Sequence, residues 1–200
     1  RGVYPNYMYY SFSFKNSHFI VLRLDNDNHN VMDCNSRPPC DTSRLSDYGY
    51  YYNKHQLDWL RYELDKADQN NQIQNVFVLL HAPLVTYSYG HKAMASWPTL
   101  LKEFSNPRAN GRKVKLVMSG HNHVYERSVP VYSDPNDATS APVEDAARGT
   151  VYVVSGGGGS DPHGFSDLND KLPTHQAGPL NHIVGATPFH YLRIDVKGNS

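Results

Sequence analysis

Hydrophobic positions along the chain recur with two periods, one typical of helices and one typical of strands. Helical spacing and end signals predict two helices, over residues 54–67 and 97–104. Strand-like runs predict six strands, over residues 9–14, 18–24, 76–80, 114–118, 149–154 and 189–196. The order strand, helix, strand, helix, strand through the middle of the chain favours a layered α/β domain.

The stretches between these elements are polar. Residues 25–46 are predicted to form a loop, and the glycine run 156–160 has the composition of a flexible linker. Because this run directly follows a buried-type strand, a loop at the sheet edge is favoured over a domain boundary. It lacks the Lys-Ser/Thr that completes a P-loop, so no nucleotide site is predicted there. With 200 residues the chain is long enough to bury one core as a single domain.

Charge and composition exclude several classes of partner. The 19 basic and 19 acidic side chains balance, which argues against a nucleic-acid-binding surface or a membrane-surface helix. No apolar run approaches the roughly 20 residues that a membrane span requires. The first residues, Arg1 to Pro5, do not resemble a signal peptide. We therefore expect either a cytosolic protein or a mature or truncated chain whose start is missing.

Two cysteines, Cys34 and Cys40, lie six positions apart in the polar loop. They are either free surface thiols or a small disulfide, which would contribute on the order of 2 kcal/mol to stability. A disulfide suits an oxidising compartment. The expected location is therefore secreted or extracellular, or vacuolar-lysosomal.

Three histidines follow the ends of two predicted strands. His81 comes directly after the strand at 76–80, and His121 and His123 follow the strand at 114–118. Because ligands of α/β sheets bind beyond the carboxyl ends of the strands, we expect these imidazoles to lie near one another. For them to converge on a metal the chain must turn, and Gly120 permits unusual backbone angles. Three histidines can form an open catalytic zinc site, although each one alone is more often a hydrogen-bonded loop residue.

Residues 120–127, Gly-His-Asn-His-Val-Tyr-Glu-Arg, resemble the Gly-His-x-His-x-Tyr-Glu-Arg block of the purple acid phosphatases. Residues 81–84, His-Ala-Pro-Leu, followed by His91, are similar to the His-x-Pro block and substrate-side histidine of the same family. Weaker matches lie at residues 50–64 and 149–159. The resemblance implies that residues 1–200 form the C-terminal portion of a layered α/β/β/α metallophosphoesterase sandwich.

That resemblance also implies a cofactor, a binuclear centre of Fe(III) and a divalent ion such as zinc, manganese or iron. His81 and His121 would bind the divalent ion, and His123 would bind the ferric ion. His91 would orient the phosphate and protonate the leaving group. Two cations would neutralise phosphate oxygens and lower the pKa of a bound water, which then becomes a nucleophile.

Glu126 and Arg127 would support the loop without binding metal. The family's earlier metal-binding blocks, with their aspartates, tyrosine and Gly-Asn-His segment, have no match in the chain. Completing the site therefore requires the N-terminal half of the domain or a partner chain. Residues 25–29 superficially resemble a calcium loop, but Asn30 and Ser36 stand where glycine and glutamate are needed. Histidines and aspartates with no usable spacing are His163, His175, His182, His190, Asp161, Asp167 and Asp170.

Three functions are compatible with these motifs. The leading one, implied by the resemblance, is a metal-dependent acid phosphatase that hydrolyses phosphomonoesters. The second keeps the metal chemistry and changes the substrate to a phosphodiester or nucleotide, because related metallophosphoesterases share the histidine-ending blocks. The third is a non-catalytic module whose histidines hold a structural metal or none. The Tyr-Glu-Arg sequence at residues 125–127 favours the first.

Overall fold

The computed structural model describes residues 9–23, 25–26, 50–51, 54–84, 86, 88, 97–105, 113–136, 142–161, 163, 182–184 and 189–196. Two helices, α1 (Lys54–Gln69) and α2 (Trp97–Ser105), lie among them. The strands are β1 (Tyr10–Phe14), β2 (Ser17–Val21), β3 (Asp25–Asn26), β4 (Tyr50–Tyr51), β5 (Asn75–Leu79), β6 (Val114–Ser119), β7 (Tyr125–Ser128), β8 (Val131–Tyr132), β9 (Val143–Glu144), β10 (Val151–Ser155) and β11 (His182–Val184).

Seven of these strands form one mixed sheet in the order β1-β2-β5-β6-β10-β7-β11. The four neighbours β2, β5, β6 and β10 run parallel to one another. The strands β1 and β7 run antiparallel to their neighbours, and β11 pairs antiparallel with β7. Because the central strands are parallel, the ends of β5 and β6 emerge at the same edge of the sheet. The predicted α/β class is confirmed.

Both helices contribute to one core with one face of the sheet. The helices bury their apolar side chains in one cluster with alternate residues of the parallel strands. The fully buried side chains are Leu60 and Leu64 of α1 and Leu100, Leu101 and Phe104 of α2. Burying each such side chain stabilises the fold by about 2 kcal/mol. Within the described part of the chain, no helix is both long and apolar enough to span a membrane.

The other face of the sheet carries a row of phenylalanines that crosses three strands. Phe12 pairs with Phe19 across β1 and β2, and Phe19 pairs with Phe77 across β2 and β5. Their ring centroids are 4.9 and 5.2 Å apart. Phe77 is buried, but 49% of Phe12 is exposed. This face is therefore apolar but only partly covered, as expected for a sheet that packs against a second layer.

A buried glutamine fixes the start of α1 to the end of β2. The Gln56 amide nitrogen donates to the Arg23 carbonyl at 2.7 Å, and its oxygen accepts from the Arg23 N–H at 2.8 Å. Gln56 is 1% exposed, so these bonds satisfy an amide that would otherwise be costly to bury. The helix is thereby held in a fixed register against the sheet.

The predicted helices and the first five predicted strands correspond to observed elements, with bounds that differ by three residues at most among the described ones. The predicted final strand at 189–196 is wrong, because those residues form no regular element. The edge beside β7 is occupied by β11 instead. With no sheet position to occupy, four of the five apolar side chains of 189–196 remain exposed, and Tyr191 is 88% exposed.

Candidate metal centre

His81 and His121 lie side by side at the carboxyl edge of the sheet. The Leu80 N–H donates to the Met118 carbonyl and the Gly120 N–H to the His81 carbonyl, each at 3.0 Å. These bonds continue the parallel pairing of β5 and β6 beyond the strands themselves. The two imidazole rings consequently meet edge to face, with centroids 4.8 Å apart.

The chain turns sharply at His121 instead of at Gly120. His121 has a φ of 65°, and the Asn122 N–H donates to the Gly120 carbonyl at 2.7 Å, which closes a three-residue turn around the histidine. Among the described glycines the one with positive φ is Gly159, so the expectation that Gly120 supplies the unusual backbone angles is wrong. A non-glycine residue in this region is strained by about 1–3 kcal/mol and persists when its surroundings hold it there.

His123 contacts the segment that follows β10. Its ring Nδ1 lies 2.8 Å from the Asp161 carbonyl oxygen, and its ring stacks on that of His163 with centroids 4.1 Å apart. The backbone N–H of His123 also donates to Nδ1 of His163 at 3.1 Å. Sequence reasoning missed His163, because forty residues separate the two histidines and no local spacing connects them.

The close approach of this segment depends on Gly156. The Gly156 N–H donates to the Val124 carbonyl at 3.1 Å. A methyl group on Gly156 would overlap the Asn122 carbonyl, so only glycine allows the two backbones to touch here. The first two glycines of the run are therefore packed at this edge of the sheet, whereas residues 158–160 are exposed.

A buried hydrogen-bond network lies beneath the two histidine-bearing segments. The Glu126 carboxylate, 1% exposed, accepts from the Thr86 hydroxyl at 2.9 Å and from the Ser88 N–H at 3.0 Å. Thr86 also accepts from the Asn122 side-chain amide at 2.7 Å. The network therefore joins β7, the residues after His81 and the turn between His121 and His123. Arg127, the neighbour of Glu126, is exposed on β7.

His190 is a second histidine that sequence reasoning left without a partner. Its Nε2 lies 3.0 Å from the Ser155 hydroxyl, and its ring meets that of Tyr125 edge to face at 5.5 Å. Tyr125 belongs to the motif at 120–127, so His190 packs behind that motif. The packing holds the 189–190 segment against the end of β10.

Some of the predicted site residues cannot be placed. His91, Cys34 and Cys40 lie outside the described residues. Among the residues that are described, no group of three or more histidine, cysteine, aspartate or glutamate side chains forms a metal-binding cluster. The structure thus brings His81 and His121 together and directs His123 to the segment after β10.

The donors that are present fit a metal ion chemically. Imidazole suits zinc, iron, copper and nickel ions. Two imidazoles bound to one ion at about 2.1 Å would place their ring centroids about 5 Å apart, and His81 and His121 are 4.8 Å apart. A carbonyl oxygen can only accept, so the contact with Asp161 assigns the Nδ1 proton of His123 and leaves Nε2 with a lone pair in the neutral ring.

Comparison with known proteins identifies several purple acid phosphatases among the relatives. No protein family model matches the chain. Purple acid phosphatase 1 of Ipomoea batatas is 30% identical over 137 residues, which cover 66% of this chain and 28% of that protein. Probable inactive purple acid phosphatase 1 of Arabidopsis thaliana is 31% identical over 121 residues, which cover 56% of this chain and 19% of that protein. The chain spans about a quarter of the length of the curated relatives that it matches.

Among solved structures, purple acid phosphatase PPD1 from yellow lupin (Lupinus luteus) seeds has a TM-score of 0.49 and 20% sequence identity, over 80% of this chain and 25% of that one. The sequence likeness to the curated proteins covers the histidine-bearing strands and agrees with the α/β sheet described above. The chain is therefore similar in sequence to the purple acid phosphatases over about two thirds of its length.

Proposed function

We propose that the protein is a metal-dependent phosphatase that hydrolyses phosphate monoesters. One observation carries the proposal: neighbouring parallel strands place His81 and His121 with ring centroids 4.8 Å apart, and His123 follows two residues later. Imidazoles at the carboxyl edge of an α/β sheet are well placed to bind ions that face a substrate in solution. The relatedness to purple acid phosphatases supports the same reaction class.

In this proposal His81 and His121 would hold the divalent ion, zinc, manganese or iron, and Nε2 of His123 would hold Fe(III). When bound, the two cations would neutralise the phosphate oxygens and activate a water molecule for attack on phosphorus. The remaining ligands come from outside this chain, either from the N-terminal half of the domain or from a partner chain. The proposal assigns no metal contact to Glu126 or Arg127.

His91 is proposed to orient the phosphate and to protonate the departing alkoxide. A histidine titrates close to mildly acidic pH, so its protonated form can donate a proton to the leaving oxygen under those conditions. A general acid of this kind contributes roughly 10²- to 10⁴-fold to the rate. A drop of that size in His91→Ala is therefore the expected result.

The test compares hydrolysis of p-nitrophenyl phosphate and bis-p-nitrophenyl phosphate by the metal-loaded protein and its variants. We expect the monoester to be the better substrate, and His121→Ala to lose both activity and one bound metal. Lys115→Ala is the matched control, since Lys115 is exposed on the same strand, β6, and should keep full activity. Faster cleavage of the diester would contradict the proposal and indicate that the protein is a phosphodiesterase.

A non-catalytic module is the second candidate, because two matching relatives carry the name of a probable inactive phosphatase. Metal bound at two ions per protein without hydrolysis of either ester would establish this alternative. The metal content by mass spectrometry and the two assays therefore separate the three functions.

A secreted or vacuolar-lysosomal location is proposed as well, resting on a bond between Cys34 and Cys40. Alkylation of both thiols with and without prior reduction tests it. Labelling that requires reduction supports an oxidising compartment, and labelling without reduction contradicts it.

A further inference from the structure

The segment after β10 surrounds His123 with contacts of several kinds. We call residues 156–161 and 163 the glycine loop. The Asp161 carbonyl meets the ring Nδ1 of His123 at 2.8 Å, and the His163 ring stacks on it at 4.1 Å with an interplanar angle of 23°. The backbone N–H of each histidine also donates to the other residue, at 3.1 Å in both directions. His123 is thereby fixed in backbone, in ring rotation and in tautomer.

The tautomer follows from the chemistry of the acceptor. The Asp161 carbonyl has no proton to donate, so Nδ1 of His123 carries the hydrogen and Nε2 of the neutral ring is the atom with the lone pair. The same logic applies to His163, whose Nδ1 accepts from the His123 N–H and is therefore unprotonated. A metal-binding histidine commonly donates its other ring N–H to a carbonyl or carboxylate in this way.

The loop is built to reach this position. Gly156 makes the contact with residues 122–123 possible, because any side chain there would overlap the Asn122 carbonyl. The Gly156 N–H then donates to the Val124 carbonyl at 3.1 Å. His123 is therefore held from one side by its own turn and from the other by the glycine loop.

We propose that the glycine loop positions His123 for metal binding, with the Asp161 backbone carbonyl selecting the Nδ1–H tautomer and His163 fixing the plane of the ring. This inference rests on the proposed function, since it concerns the ion that His123 would bind. His163 is a positioning residue: it acts on the metal through His123. The carboxylate of Asp161 is exposed and has no part in this role.

Three substitutions of His163 separate its two contributions. His163→Ala removes the stacked ring and the acceptor for the His123 N–H. His163→Asn keeps an acceptor close to the position of Nδ1 without the ring, and His163→Phe keeps a stacked ring without the acceptor. Asp161→Asn is the matched control, because the backbone carbonyl remains in place. Each variant of the purified protein is titrated with Zn²⁺ and Fe³⁺ against a chelator, and its metal-free form is examined by ¹⁵N NMR of the histidine rings.

We expect His163→Ala to lower the affinity for one of the two bound ions by about 10- to 100-fold, the range typical for residues that orient a metal ligand. The ion at His81 and His121 should keep its affinity, so the loss is confined to one ion, unlike the loss caused by general unfolding. His163→Asn and His163→Phe should each recover part of the affinity. Asp161→Asn should bind as the wild type does, and the metal-free protein should show a proton on Nδ1 of His123.

Two results would overturn the inference. One is a His163→Ala variant that binds both ions within twofold of the wild type, and the other is a proton on Nε2 of His123 in the metal-free protein. A phosphatase assay run on the same samples distinguishes failure of the proposed function. If both ions bind with the expected pattern and no ester is hydrolysed, the positioning role of the glycine loop stands and the phosphatase proposal falls.

Discussion

Substitution of Glu63 should reveal a buried charge cluster that stabilises the fold at one edge of the sheet. Glu63 of α1 is 5% exposed, and its Oε2 lies 3.2 Å from Nε2 of His18 on β2. The Ser11 hydroxyl donates to the same oxygen at 2.8 Å, and Lys66 lies 3.4 Å away. Nδ1 of His18 lies 2.8 Å from the Ser13 hydroxyl.

The magnitude of the effect follows from the pKa of Glu63. The close contact with His18 is the largest cause, and together with Ser11 and Lys66 it lowers this pKa from 4.5 to about 2, although burial acts in the opposite direction. At 1.36 kcal/mol per pH unit, the difference corresponds to on the order of 3 kcal/mol. Because the folded-state pKa is lower than the unfolded one, this stability is fully present above pH 4.5 and is lost as the pH falls toward 2.

The assay is urea unfolding of the wild type and Glu63→Gln at a series of pH values from 6 to 2. The difference in unfolding free energy between the two should shrink by about 3 kcal/mol over this range. Taking the difference cancels the contribution of the other carboxylates. Asp145→Asn is the control, because Asp145 has a lowered pKa and an ion pair with Arg148 but lies at the surface. Solvent screening should leave its effect far smaller.

A difference between wild type and Glu63→Gln that stays constant within 0.5 kcal/mol from pH 6 to pH 2 would refute this reasoning. It would mean that the carboxylate has the same pKa in the folded and unfolded states, and hence that its contacts with His18, Ser11 and Lys66 do not favour the ionised form. Added salt provides a second check. Because the pair is buried, 0.5 M NaCl should change the Glu63 effect little.

Two further substitutions test the site. Thr86→Val should destabilise the protein by about 2–4 kcal/mol, because it removes a donor to the buried Glu126 carboxylate and an acceptor for Asn122. The control Thr86→Ser keeps the hydroxyl and should cost about 1 kcal/mol. Equal losses of stability in urea unfolding of the two variants would contradict the role of the hydroxyl. Gly156→Ala should lower the melting temperature and weaken metal binding. Gly158→Ala is the control and should change neither, because its methyl group would meet no atom within 4 Å. Similar behaviour of the two variants would show that the close approach of Gly156 to the Asn122 carbonyl is unnecessary.

Periodicity alone located the elements that build the core. Leu60 and Leu64 repeat at helical spacing, and the run at 76–80 is continuously apolar, so local pattern and burial agree. The prediction of a final strand was wrong because the pattern at 189–196 is compatible with a strand but does not specify which chain segment takes the last sheet position. That position is decided by the pairing of β11 with β7, a long-range contact that no local periodicity records.

The sequence likewise predicts only part of the candidate metal site. The histidines at strand ends could be identified from their positions after apolar runs, and the structure brings two of them together. The partners of His123 could not be identified, because the acceptor is a backbone carbonyl, which every residue possesses, and the stacked His163 has no fixed spacing to it. The same holds for His18 and Glu63, which meet only because α1 packs against β2.

The strained backbone at His121 indicates how the fold holds the turn at the candidate metal site. A glycine at this position would adopt a φ of 65° at no steric cost, so the use of histidine requires that neighbouring contacts hold the turn. Three do so from different directions: the Gly120 N–H bonded to the His81 carbonyl, the Asn122 amide bonded to Thr86, and Gly156 packed on the Asn122 carbonyl. Each contact links the turn to a different segment of the sheet edge. The backbone of His121 is therefore held in place by the fold, so a metal bound as proposed would spend little binding energy on ordering the turn.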